Sequence, residues 1–265
     1  MSEKMKIWAV SNQKGGVGKT TTVVSLGGLL SSWGYKTLLV DLDPHGSLTS
    51  YFKHNPDSID GSVYNVFQNA SRKHKDYNPR QYIIKTEFPD LSILPASTAI
   101  ATLDRQVASQ GGMGLVIANA LAEVSEEYDY VIIDSPPMLG VLMVNALAAC
   151  DYLIVPVITE YLALQGLDRM INTIKMVFKS RKSPPGYKII PTMFDKRTRA
   201  ASECRDVLTQ KYPNNAWDDF IPIDTKLREA SSLGVPASIY DPTSKAVASY
   251  SNLLDELLEN NIPNE

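Results

Sequence analysis

Residues 11–22 read Ser-Asn-Gln-Lys-Gly-Gly-Val-Gly-Lys-Thr-Thr-Thr, a glycine-rich run between a short apolar stretch and a helical pattern. Gly15, Gly16 and Gly18 let a backbone turn tightly with its N–H groups facing inward. A helix opening near Thr20 points its positive end at the same spot. Such a socket suits a polyphosphate. Lys14, Gly15, Gly16, Val17, Gly18, Lys19, Thr20 and Thr21 would line it, with Lys19 reaching the terminal phosphates and the Thr20 hydroxyl ligating magnesium. A glycine loop that merely joins a strand to a helix is the bland alternative. The Lys-Thr ending and the acidic residues downstream weigh against it.

Two further segments supply carboxylates. Leu38-Leu-Val-Asp-Leu-Asp-Pro-His-Gly sets Asp41 and Asp43 two residues apart, which on a strand aims both to one side. Tyr130-Val-Ile-Ile-Asp134 is an apolar run ending in a single carboxylate, followed by Ser-Pro-Pro; Asp134 is expected to hold magnesium. Three features of this kind at successive strand ends describe a site in a parallel sheet.

The elements that must position them follow from the apolar pattern. Short β-branched runs alternate with longer amphipathic segments, which predicts an α/β chain with a doubly wound, mostly parallel sheet and helices on both faces. Strands are expected at 7–11, 37–41, 91–94, 130–134, 152–157 and 189–194, with a weak one at 220–221. Helices are expected at 20–33, 114–126, 139–150, 164–179, 200–212, 226–233 and 245–259. Residues 53–90 are polar and read as surface excursions. With 265 residues, 44% of them hydrophobic, one domain spanning 1–265 can bury its own core. Two cysteines, Cys150 and Cys204, are too few for a disulfide framework and point to reducing cytosol. No stretch approaches a membrane span, so insertion into a bilayer is not expected. The amphipathic stretch from Tyr250 is acidic, unlike a lipid-binding helix, and reads as a packing helix. Net charge is −3, yet residues 175–228 hold twelve Lys and Arg against six Asp and Glu. That surplus of six marks a candidate basic surface.

Gln13 stands where a standard phosphate loop has its first glycine, and Lys14 follows it. Lys-Gly-Gly-Val-Gly-Lys-Thr thus resembles the deviant Walker A loop of the ParA/MinD ATPase family. Glu160-Tyr-Leu-Ala-Leu-Gln-Gly-Leu, Pro191-Thr-Met-Phe-Asp-Lys-Arg-Thr, Ile221-Pro-Ile and Leu227-Arg-Glu-Ala are similar to later family segments. The resemblance implies a bacterial, cytoplasmic, nucleoid-associated or polar ATPase that binds ATP and Mg2+, closes as a homodimer and hydrolyses slowly until a partner stimulates it. It implies catalytic roles for Lys14, reaching the partner subunit's nucleotide, for Asp43, orienting the attacking water in switch I, and for Lys19. Asp41 would join Thr20 and Asp134 in the magnesium environment, and the segment after Asp134 would be switch II.

The sequence is most similar to the small Soj-type ParA proteins, or to the ParC branch that positions chemoreceptor arrays. The implied cargo is a chromosome or plasmid held through a ParB-like protein, or a protein assembly reached through a chemotaxis-array adaptor. Non-specific DNA would meet Lys179, Arg181, Lys182, Lys196, Arg197, Arg199, Lys226 and Arg228. Two departures stand out. Ile223 replaces a common family arginine, which removes one DNA contact. His45 replaces a glutamine and reads as a surface-loop histidine, with tuning of hydrolysis as the alternative reading. A P-loop metabolic enzyme of the dethiobiotin-synthetase-like type is the alternative.

Overall fold

The computed structural model describes residues 4–72, 78–107, 112–179, 181 and 183–260. Seven strands form one sheet: β1 (Lys6–Val10), β2 (Thr37–Asp41), β3 (Ile84–Lys85), β4 (Leu91–Leu94), β5 (Tyr130–Asp134), β6 (Tyr152–Ile158) and β7 (Gly186–Thr192). Their order is β3-β4-β2-β5-β1-β6-β7, and every pairing is parallel except that of the short edge strand β3. The expected doubly wound sheet is what the chain adopts.

Eleven α-helices lie among the described residues: α1 (Lys19–Ser32), α2 (Ser47–Tyr51), α3 (Val63–Ser71), α4 (Ile100–Val107), α5 (Val116–Ala122), α6 (Val141–Ala149), α7 (Tyr161–Phe178), α8 (Arg199–Lys211), α9 (Thr225–Leu233), α10 (Ala237–Tyr240) and α11 (Lys245–Asn260). Strand alternation sends neighbouring side chains to opposite faces, so each buried strand feeds two cores. Ala9, Leu38, Val40, Val131 and Ile133 pack with α3, α5, α6 and α7. Trp8, Val10, Leu39 and Ile132 pack on the other side with α1 and α11. The acidic last helix is a packing helix as expected, burying Val247, Tyr250, Leu253, Leu254 and Leu257.

Close approach is designed into α1. A Cβ at Gly28 would lie 2.5 Å from Cβ of Pro236, so only glycine admits the segment leading into α10.

Several expectations need correction. Residues 220–221 form no strand: the chain makes only isolated bridges, Ile189 to Ala216 and Phe194 to Pro222. The strand expected at 189–194 begins three residues earlier and ends at Thr192. Residues 53–90 are not all excursion, because α3 buries Val63, Val66 and Phe67. A capping box at Ser62 and Asn65 starts that helix, with serine accepting from an early N–H and asparagine reaching back to the N-cap. The apolar face is only three residues wide, which is why composition hid it. Both cysteines are free and buried. Burial pushes the Cys150 thiol up to about 12, so it is an inert core residue.

Candidate active site

β1, β2 and β5 run parallel and side by side, with Val10 beside Asp134 and Asp41 beside Asp134 in register. Their carboxyl ends therefore open onto one edge, where a parallel sheet places its ligands. The loop after β1 is fixed from several directions. Asn12 Nδ2 donates to the Pro156 carbonyl at 2.8 Å, and its Oδ1 accepts from the Lys14 N–H at 3.0 Å. Thr192 Oγ1 donates to the Val17 carbonyl at 2.9 Å. Gln13, the residue in place of the first glycine, donates through Nε2 to Thr173 Oγ1 on α7 at 3.2 Å.

Gly16 and Gly18 take φ of 73° and 89°, the left-handed turn expected of them. Gly18 caps α1, and among the described residues no side chain accepts from the first N–H groups of that helix. Those donors and the helix dipole are left for an anion. Gly15, Gly16, Gly18, Lys19, Thr20 and Thr21 line a cleft of about 480 Å³ together with Asp43 and His45. Val17 is instead wholly buried beneath the loop. Lys19 is buried and in no salt bridge among the described residues, with its charge acting on the nearby Asp134 carboxyl.

A divalent cation fits the chemistry beside it. Thr20 Oγ1 donates to Asp134 Oδ2 at 2.6 Å, while Asp134 Oδ1 is buried without a hydrogen-bond partner. A hydroxyl and an orphaned carboxylate oxygen are the hard donors that magnesium accepts, with phosphate and water completing the shell. Burial, then the neighbouring Asp41, holds the Asp134 carboxyl well above the usual range; the Thr20 hydrogen bond and Lys19 pull it down.

Asp41 is placed differently from Asp43. The strand ends at Asp41, so strand alternation does not govern the pair. Asp41 is fully buried, its Oδ2 accepting from Thr49 N and Oγ1 at 2.8 and 2.7 Å and its Oδ1 from the Asp43 N–H at 3.1 Å. Burial raises it to about 6, opposed by the Thr49 bonds. It organises the loop that presents Asp43. That residue lines the cleft, and its Oδ1 accepts from His45 N at 3.0 Å and pairs with His45 Nδ1 at 2.8 Å. Lys14 stretches away from its own loop and pairs with Glu160 at 3.2 Å, just before α7.

The comparisons with known proteins agree with this geometry. The family described as an AAA domain matches residues 5–184. Sporulation initiation inhibitor protein Soj of Bacillus subtilis (strain 168) is 35% identical over 256 residues, covering 96% of this chain and 99% of that protein. The chain belongs to the ParA/MinD family of P-loop ATPases. Chromosome partitioning protein ParA of Myxococcus xanthus is also 35% identical, covering 97% of this chain and 89% of that protein. Among solved structures, cobyrinic acid a,c-diamide synthase from Mycobacterium smegmatis, with bound ATP analog and magnesium, superposes with a TM-score of 0.82. It is 32% identical and covers 97% of this chain and 95% of that one.

For this ParA/MinD family member the structure also adds residues that carried no role in the sequence. A second cavity of about 440 Å³ adjoins the phosphate cleft, sharing Gly18, Thr21 and Met193 with it. Its walls include Ile221, Pro222, Ile223, Leu227 and Tyr250. Met193 takes a left-handed φ of 52°, a strained conformation that a site residue tolerates when its surroundings fix it. The traces in the sequence were the family-like Pro191-Thr-Met-Phe, Ile221-Pro-Ile and Leu227-Arg-Glu-Ala. Ile223, noted there as a lost arginine, is here a wall of that cavity.

The expected basic surface is mostly committed elsewhere. Arg181 turns inward, its Nη1 donating to the carbonyls of Leu147, Ala148 and Cys150 at 3.2, 3.3 and 2.8 Å. It caps the end of α6, which corrects its assignment to a surface contact. Arg197 pairs with Asp195, Arg199 with Glu203 and Lys226 with Glu229. Lys196 lies over the Phe220 ring at 5.0 Å. Lys179 and Arg228 are exposed, and Lys182 lies outside the described residues.

Proposed function

We propose that the chain is an ATP- and Mg2+-dependent switch ATPase that dimerises on nucleotide and positions an intracellular cargo. The observation that carries it is the orphaned Asp134 Oδ1 beside the Thr20 hydroxyl, set under an uncapped helix start and a buried Lys19. ATP lies with its phosphates against Gly15, Gly16, Gly18 and Lys19, and its base and sugar in the apolar cavity beyond Gly18. Thr20 and Asp134 would hold magnesium, which when bound would supply charge to screen the terminal phosphates. Asp41 shapes that surrounding through its hold on the Asp43 amide, and Asp43 orients the water.

Dimerisation is supported by what surrounds Lys14. Pro137 lines the cleft, and the next two residues, Met138 and Leu139, are 75% and 53% exposed. Glu160 holds Lys14, and the next two, Tyr161 and Leu162, are each 70% exposed. Large apolar side chains bared on both sides of a phosphate site suit a face that a second copy covers. Lys14 then exchanges Glu160 for the partner's nucleotide. Ile223, standing where the family commonly has an arginine, favours a protein cargo and adaptor over tight DNA binding. A cytoplasmic chain placed at a pole fits this reading best; nucleoid association through a ParB-like partner is the other placement of the same switch.

Gel filtration with ATP and magnesium tests it: wild type elutes as a dimer and Lys14→Ala as a monomer or an inactive dimer. Equal dimerisation and turnover in the two would overturn the reading. The likeness to the M. smegmatis diamide synthase structure favours a second reading, a P-loop ligase. A ligase requires an acceptor substrate for turnover and has no use for Lys14 across an interface.

A further inference from the structure

We propose that His45 is a positioning residue for hydrolysis, holding the Asp43 carboxylate so that one oxygen is clamped and the other serves the attacking water. The inference rests on the reading of Asp43 as the water-orienting group.

The turn Asp43-Pro-His-Gly46 is closed by the Gly46 N–H donating to the Asp43 carbonyl at 2.8 Å. An aspartate starting such a turn commonly accepts from the backbone N–H two residues on, as Asp43 Oδ1 does from His45 at 3.0 Å. That bond needs no histidine and leaves the side chain at 45 free to point anywhere. The imidazole instead folds back, and its Nδ1 meets the same Oδ1 at 2.8 Å although the ring is 79% exposed. Oδ1 is thus held twice. Asp43 Oδ2 accepts no hydrogen bond among the described residues, and Asp43 faces the phosphate cleft.

A carboxylate that can swing about χ2 presents either oxygen and spends part of its time misdirected. Two donors on one oxygen remove that freedom, and the unclamped oxygen is the one that remains to take a hydrogen bond from water. The clamp acts on the Asp43 carboxylate and not on a phosphate, so its effect falls on the chemical step. Both residues line the cleft with Lys19 and Thr20, which places the held carboxylate where a terminal phosphate ends.

The test is steady-state and single-turnover ATP hydrolysis by full-length protein, with affinity for a non-hydrolysable ATP analogue measured in parallel. His45→Ala should lower kcat about tenfold with analogue affinity and melting temperature unchanged. His45→Asn, whose amide nitrogen replaces Nδ1 as donor, should recover most of the rate. Wild-type kcat in His45→Ala, or an asparagine variant no better than alanine, overturns the proposal. Asp43→Ala is the separate control: full turnover there removes the reading beneath it, whatever His45 does.

Discussion

Asp134 is a carboxylate buried with one oxygen unpartnered and Asp41 beside it, an arrangement that costs stability until a cation arrives. Both acids are shifted upward by burial, so the folded chain prefers them neutral. That preference contributes fully below the pKa of an unfolded aspartate, near ~3.9. It fades as pH rises through about 6 for Asp41, and higher for Asp134. Asp134→Asn should therefore melt above wild type at pH 8 without magnesium, with the gap closing towards pH 4. Scanning calorimetry across that range decides it, and a gap independent of pH would show that the carboxylate charge is not the cause. The same variant should lose magnesium-dependent nucleotide affinity. At this scale the sequence was informative wherever residue type dictates chemistry: Lys19, Thr20 and Asp134 are where their types required. It was silent on which oxygen each carboxylate commits. The Thr49 contact that saturates Asp41 and the ring of His45 turned onto Asp43 are products of loop path, which residue spacing does not encode.

Helices α1 and α6 carry the load between loop and core, and each makes a prediction. Alanine is a better helix former than glycine by about 1 kcal/mol, so on propensity alone Gly28→Ala should stabilise α1. The new Cβ would meet Pro236 Cβ at 2.5 Å and Ser238 Oγ at 2.9 Å, an overlap costing about 1–3 kcal/mol. The clash wins, and chemical denaturation should show a net loss. For α6, Arg181→Ala leaves three C-terminal carbonyls without their donor and should cost about 1–2 kcal/mol. ATP-analogue affinity should not change, because Arg181 lies away from the cleft; a loss of affinity with unchanged stability would contradict the capping role. Long periodic helices and fully apolar strands were legible in advance, since burial on both faces leaves no other composition for them. α2, α3, α4 and α10 were missed because they are short, so their stability comes from the surface they dock on and not from a repeated apolar period.

Across the molecule, the surplus of charge in 175–228 overstates the surface available to nucleic acid. Of the eight cations expected there, Arg181 is a cap, Arg197, Arg199 and Lys226 face carboxylates, Lys179, Lys196 and Arg228 lack an acidic partner among the described residues, and Lys182 lies outside those residues. Counting Lys182 with these three, four cations per subunit would give a dimer a log–log salt slope no steeper than about −7 on random duplex. Fluorescence anisotropy against salt measures it, and a steeper slope would mean that the ion pairs open on DNA. No helix among the described residues is long and apolar enough to cross a membrane. What the sequence determined by itself was the sheet class, the glycine loop after β1 with its two lysines and the carboxylate that ends β5, because local glycine freedom, strand alternation and residue chemistry are properties of short segments. The tertiary structure alone decided the rest: which cations are spent on neighbours, that Met193 and Ile223 wall a cavity joined to the phosphate cleft, and that His45 reaches Asp43. Each depends on segments far apart in the chain, or on a loop's path, meeting at distances of a few ångströms that no local pattern specifies.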